Sequence, residues 1–139
     1  MSFSDTYRRQ HGEILQMAKS ISDAIASNAV PQRAAEITST LSQMGALVKI
    51  HLSTEDKYMY PKLGAHADAK VRDLAHHYQR EMGGLSEVFG SYLAKWHVAD
   101  KLKQHPADFA AETKKVFSAV AQRIQKEDSE LYPLVDSIH

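Results

Sequence analysis

The sequence predicts an all-α protein, an antiparallel up-down-up-down four-helix bundle in which two αα-hairpins are related by a pseudo-two-fold axis. We expect residues 1–139 to form this bundle as a single domain. Apolar residues recur three and four positions apart, which is the period of amphipathic helices. Four such segments follow one another, and most of the connections between them are short enough to join antiparallel neighbours.

The four predicted helices are defined by their apolar stripes. These stripes run from Tyr7 to Ile25, from Ile37 to Tyr58, from Val71 to Tyr92 and from Phe109 to Leu131. The third stripe is interpreted as a single helix, and residues 95–106 as a longer connection before the fourth.

The four prolines support this division of the chain. Pro31 and Pro106 are interpreted as helix starts, where a missing N–H costs nothing. Pro61 and Pro133 follow charged, periodic segments and are interpreted as helix stops, because proline cannot continue the hydrogen-bond ladder.

A short motif occurs twice in the chain and indicates duplication. The segment EDKYMYP, residues 55–61, recurs as EDSELYP, residues 127–133. Both copies lie at the end of a predicted stripe, so the second and fourth helices are expected to correspond under the pseudo-two-fold axis.

Composition excludes several classes of function. The chain has 17 basic and 17 acidic residues and a formal net charge of zero, which predicts no nucleic-acid partner and no attraction to a membrane surface. No run approaches the roughly 20 apolar residues of a membrane span, and residues 1–12 do not resemble a signal peptide, so a cytoplasmic protein is expected. The absence of cysteine excludes thiolate metal sites and disulfides. Metal chemistry must therefore use carboxylates and the eight histidines.

Polar residues interrupt the apolar stripes and are the candidates for chemistry. The interrupting residues are His11, His51, Glu55, Glu81 and Glu127. A buried carboxylate without a partner costs several kcal/mol, so this set requires a cation, a proton or an arginine.

Two histidine–glutamate pairs have the spacing of metal ligands. His51 and Glu55 are four residues apart, as are His77 and Glu81, which places both members of a pair on one helix face. His77 is preferred to His76 because it aligns with the predicted inner stripe. Histidines and carboxylates on four facing helices are typical of a non-haem iron or manganese site inside a bundle.

At these residues the chain resembles the hemerythrin-like, or HHE cation-binding, family. The match covers nearly the whole chain and consists, in order, of His11, His51-x-x-x-Glu55 with Tyr60-Pro61, His77, and Arg123-x-x-x-Glu127 with Tyr132-Pro133. The resemblance implies an iron-binding bundle in which two carboxylates bridge a metal pair, imidazoles cap it, and an open position takes a small ligand. It also implies a role in iron or oxygen sensing, or in nitrosative stress.

The chain departs from the family pattern at two positions. Arg123 stands where the fourth helix provides a histidine, and a guanidinium has no lone pair for a metal. Glu81 replaces a histidine at the second ligand position of the third helix, which weakens an oxygen-carrier assignment. Alternatively, Arg123 pairs with Glu81 or Glu127 and replaces the second metal, leaving a mononuclear or empty site.

The expected function is therefore binding of iron, as Fe²⁺ or Fe³⁺, with one or two ions per chain. The expected ligands are His11, His51, Glu55, His77, Glu81 and Glu127. The expected partner is a small ligand such as dioxygen or nitric oxide, and the role is sensing or handling of that ligand or of iron. Two alternatives stay open: a small iron oxidoreductase, and a metal-free interaction bundle in which Arg123 supplies the positive charge.

Overall fold

A computed structural model describes residues 4–138, which contain helices and no strand, so the all-α class is confirmed. The α-helices are α1 (Asp5–Ala26), α2 (Ala34–Thr54), α3 (Tyr60–Gly64), α4 (Ala69–Met82), α5 (Leu85–Trp96), α6 (Ala99–Gln104), α7 (Pro106–Lys126) and α8 (Tyr132–Ile138). Two π-helical segments, π1 (Glu55–Met59) and π2 (Glu127–Leu131), connect α2 to α3 and α7 to α8.

The long helices pack side by side around an apolar core. Helix α1 contacts α2, α2 contacts α5, α5 contacts α7, and α7 contacts α1. The core has two parts, a larger one among these helices and a smaller one that includes Leu63, Val71 and Val135. Within the described residues, none of the helices is both long enough and apolar enough to cross a membrane.

The sequence predicted that Pro31 and Pro106 each begin a helix, and the structure confirms only one of these two starts. Helix α7 begins at Pro106, as predicted. Pro31 instead lies in the turn before α2, which begins at Ala34. Helix α4 begins without proline, because the Asp68 carboxylate accepts hydrogen bonds from the free N–H groups of Lys70 and Val71.

Pro61 and Pro133 do not end helices, and the predicted stops there are wrong. Each lies in the first turn of a short helix that continues the preceding long helix through a π segment. In π1 the N–H of Tyr60 bonds to the carbonyl of Glu55, five residues back. This wider turn accommodates the proline ring, which in an α-helix would collide with a carbonyl of the preceding turn.

The π turn also changes which side chains face inward. Met59 is buried, whereas Tyr58, which the second stripe placed inside, is 70% exposed. A π turn contains more residues than an α turn, so it keeps Glu55 and Met59 on the inner side and directs Tyr58 to solvent.

The third stripe is not one helix, because the chain breaks at Gly83 and Gly84 between α4 and α5. The buried residues of α4 are Val71, Ala75 and Tyr78. The predicted inner positions of Glu81 and Val88 are wrong, since both side chains are exposed. The predicted connection over residues 95–106 contains the short helix α6.

Candidate metal centre

Four polar residues from α1, α2, π1 and π2 converge in the interior. His11, His51, Glu55 and Glu127 each offer one ligand atom, and these four atoms all lie within 4.8 Å of one another. Each of the four residues is at most 1% exposed. The amphipathic stripes explain the convergence, because each residue occupies an inward position on its helical segment. The donor set is two imidazole nitrogens and two carboxylates.

The other two predicted ligands lie outside this cluster. The side chains of His77 and Glu81 are 56% and 36% exposed and pair with each other at 2.9 Å. Glu81 also accepts a hydrogen bond from Lys126 at 2.6 Å, and this lysine holds the pKa of the Glu81 carboxyl below its usual range. The physical reason is the orientation of α4, which turns Tyr78 inward and the His77–Glu81 face to solvent.

The imidazole rings of His11 and His51 each form a hydrogen bond with a side-chain oxygen on the side that faces away from the cluster. Nδ1 of His51 lies 2.5 Å from Oε1 of Gln10, and Nδ1 of His11 lies 2.8 Å from Oδ1 of Asp128. These oxygens can only accept, so each Nδ1 carries a hydrogen and donates it. In the neutral ring Nε2 then presents a lone pair to the cluster, which is the arrangement that outer hydrogen bonds give to metal-binding histidines.

Within the cluster, a nitrogen of His51 and an oxygen of Glu55 lie close together, and each has a lone pair directed at the other. Nε2 of His51 lies 2.8 Å from Oε1 of Glu55, yet both buried atoms lack a hydrogen-bond partner. Burial lowers the pKa of His51 to about 3, so the ring is neutral at physiological pH. Two buried acceptor atoms facing each other are unfavourable unless a proton lies between them or a metal cation binds both.

Two tyrosines connect the copies of the repeated motif reciprocally. Tyr132 of the second copy donates to Oε2 of Glu55 in the first copy at 2.8 Å. Tyr60 of the first copy donates a short hydrogen bond to Oε2 of Glu127 in the second. Each carboxylate is thereby oriented by the other half of the chain. Burial, with the nearby negative carboxylates, raises the pKa of both phenols, so both stay protonated donors.

Arg123 is also buried beside the four candidate ligands, at 1% exposure. Its guanidinium lies 3.5 Å from Oε1 of Glu55, 3.4 Å from Oε2 of Glu127 and 2.9 Å from Oδ1 of Asp56. The ring of Tyr60 lies below it, 5.3 Å from the guanidinium carbon. Arg123 thus pairs with Glu127, as one alternative from the sequence anticipated, and not with Glu81.

The two carboxyl groups of the cluster have opposite proton affinities. Burial and the negative charge of Glu127 raise the pKa of Glu55 well above its usual value. Burial acts in the same direction on Glu127, but its hydrogen bonds and the positive charge of Arg123 outweigh it and hold the pKa at about 2. Of the two carboxyl groups, Glu55 is therefore the one that binds a proton first.

A very small cavity adjoins the cluster. Its volume is about 10 Å³, close to the minimum that admits one water molecule. Besides His51, Glu55, Arg123 and Glu127, its lining is apolar and includes Ile14, Val48, Leu52, Leu85, Val120 and Ile124. The space beside His51, Glu55 and Glu127 therefore admits at most a molecule of about the size of water.

Sequence reasoning missed several residues that support this centre. Asp56 and Asp128 occupy equivalent positions in the repeated motif, directly after Glu55 and Glu127, so the repeat itself was a usable signal for both. No comparable signal pointed to Gln10. Its role depends on the packing of α1 against α2, which periodicity does not specify.

The chain was compared with models of known protein families. The family model described as the hemerythrin HHE cation binding domain matches residues 2–135, nearly the full chain. Comparisons with curated proteins and with solved structures found no match.

Proposed function

Because the chain belongs to the hemerythrin HHE cation-binding family, we propose that it binds iron through His11, His51, Glu55 and Glu127. The observation that carries this proposal is the contact between Nε2 of His51 and Oε1 of Glu55, two buried acceptor atoms that lack a hydrogen bond. A proton between the two atoms or a cation bound to both would remove this conflict, and the family match favours the cation. Imidazole and carboxylate donors suit iron, and the outer acceptors Gln10 and Asp128 keep both rings aimed at it.

The family resemblance and the adjoining cavity support a small ligand such as dioxygen or nitric oxide. Iron, when bound, supplies a coordination position at which such a molecule can attach. The residues of the chain determine which molecules reach it, because Val48, Leu85 and Val120 form an apolar wall around a cavity of about 10 Å³. A cavity of this size favours sensing or handling of a small ligand over oxidation of an organic substrate.

The helix contacts also support the finer features of the predicted fold. The closed order of contacts from α1 to α2, α5, α7 and back to α1 supports an up-down-up-down four-helix bundle. The reciprocal bonds between Tyr132 and Glu55 and between Tyr60 and Glu127 support a pseudo-two-fold axis through the centre.

The experiment is a metal count on protein prepared without a histidine tag. Wild-type protein is incubated anaerobically with Fe²⁺, desalted and analysed for iron. The double variant His51→Ala/Glu55→Ala is expected to lose the tightly bound iron, because it removes two of the four ligands. The matched control is His77→Ala/Glu81→Ala, a pair with the same spacing on the surface, which is expected to retain it.

A specific observation favours a second candidate function, a metal-free interaction bundle. Arg123 already contacts Glu55, Glu127 and Asp56, so the site carries a positive charge of its own. If wild-type protein retains no iron in the experiment above, iron binding is rejected and the metal-free bundle is favoured.

A further inference from the structure

Arg123 is enclosed by acceptors that belong to the candidate metal centre. Its Nε faces Glu127, and one terminal nitrogen faces both Glu55 and Asp56. The other terminal nitrogen donates to the backbone carbonyl of Met82 at 3.4 Å. The guanidinium therefore lies 3.4–3.5 Å from one oxygen of each carboxylate in the four-residue cluster.

Helix α4 provides no ligand on this side of the centre. Its inward residue near the site is Tyr78, whose hydroxyl donates to Glu130 and to the backbone carbonyl of Lys126. At the end of α4, the backbone carbonyl of Met82 accepts a hydrogen bond from Arg123. A second metal ion would therefore find no imidazole from α4, and none from α7, where Arg123 replaces histidine.

The two halves of the repeat thus differ at one position. In the first half, His51 precedes Glu55 by four residues and presents a lone pair to the centre. In the second half, Arg123 precedes Glu127 by the same spacing and presents a permanent positive charge. A positive charge within 4 Å of both carboxylates repels a second dication, and at low effective dielectric the repulsion is strong.

We propose that Arg123 acts as a resident cation in place of a second metal ion, so that this protein binds one iron per chain. The inference rests on the proposed iron binding and specifies its stoichiometry. It also assigns Arg123 a second role, which is to compensate Glu55, Glu127 and Asp56 when no metal is bound.

The first test counts iron in anaerobically loaded, desalted protein. Wild-type protein is expected to retain one ion per chain, and Arg123→His to retain close to two, because it removes the charge and supplies an imidazole four residues before Glu127. The control Arg33→Met breaks an arginine–glutamate pair on the surface and is expected to keep the wild-type count. Two tightly bound ions in wild-type protein, or an unchanged count in folded Arg123→His, would overturn the inference.

The second test uses metal-free protein in EDTA, so it does not depend on iron binding. Arg123→Met is expected to lower the melting temperature on the order of 10 °C, because it leaves buried carboxylates uncompensated. Adding Glu127→Gln is expected to recover part of that loss, since it removes one of those charges. Equal melting temperatures for wild type and Arg123→Met, or no recovery in the double variant, would overturn the resident-cation role.

The two tests distinguish failure of the Arg123 inference from failure of the proposed iron binding. A count of zero iron in wild-type protein would reject the proposed function and with it the stoichiometry. The role of Arg123 as resident cation would then be decided by the measurements in EDTA alone.

Discussion

The hydroxyl of Tyr132 donates a hydrogen bond to Oε2 of Glu55 at 2.8 Å, across the interface between the two copies of the repeated motif. Tyr60 and Glu127 make the reciprocal bond. Each glutamate is therefore positioned by a tyrosine that lies five residues after the glutamate of the other copy. The repeated Glu…Tyr-Pro pattern therefore orients two buried carboxylates. The π-helical turns π1 and π2 direct each tyrosine toward the interior.

The Tyr132–Glu55 bond leads to a first prediction. Tyr132→Phe is expected to destabilise metal-free protein by about 1–3 kcal/mol, because it leaves a buried carboxylate oxygen without a donor. Urea unfolding in EDTA measures this. The control is Tyr58→Phe, which changes a tyrosine that is 70% exposed and is expected to shift stability by less than about 0.5 kcal/mol. Equal effects of the two substitutions would contradict the assigned role of Tyr132.

Gln10 leads to a second prediction, on the affinity for iron. Gln10→Ala is expected to weaken Fe²⁺ binding roughly 10- to 100-fold, because the ring of His51 loses the acceptor that orients it. Anaerobic titration against a competing chelator measures the affinity. Gln16→Ala, an exposed glutamine on the same helix, serves as the control. An unchanged affinity in Gln10→Ala would show that ring packing alone orients His51.

A third prediction concerns the stability of metal-free protein in acid. Burial lowers the pKa of His51 to about 3, whereas an unfolded histidine titrates near 6.5. Between these values the unfolded chain binds the additional proton, so stability falls as the pH falls through this range. At pH 4 the lost contribution is on the order of 3 kcal/mol.

Chemical unfolding at several pH values in EDTA tests this dependence. His51→Leu has no imidazole at this position and is expected to lose less stability than wild type between pH 6.5 and pH 4. Parallel pH profiles for the two proteins would show that, between pH 6.5 and pH 4, His51 binds a proton in the folded state as it does in the unfolded chain.

A fourth prediction concerns the break between α4 and α5. A Cβ added at Gly83 would lie 2.5 Å from the backbone carbonyl oxygen of Gln79, whereas one added at Gly84 would meet no atom within 4 Å. Gly83→Ala is therefore expected to destabilise the protein by about 1–3 kcal/mol, because a backbone carbonyl cannot rotate away as a side chain can. Thermal unfolding of both alanine variants tests this. A loss in Gly84→Ala as large as that in Gly83→Ala would contradict the steric explanation.

The break at Gly83 and Gly84 also shows where reasoning from periodicity fails. Residues three and four positions apart lie on one helix face only while the helix is continuous. The interpretation of the third stripe required one helix from Val71 to Tyr92. Within the continuous helix α4, moreover, Tyr78 is buried whereas His77 and Glu81 are exposed. A local spacing of histidine and glutamate cannot show which side of a helix faces its neighbours.

The sequence by itself determined the all-α class and the family, and it identified His11, His51, Glu55 and Glu127 as residues in apolar stripes. These conclusions follow from local periodicity and from a motif repeated along the chain, which are properties of the sequence alone. Only the tertiary structure decided the partners of these residues, among them the contacts of Arg123 with Glu55 and Glu127. Such contacts join positions far apart in the chain, and their geometry depends on how whole helices pack and on where a π turn or a glycine changes the direction of a side chain.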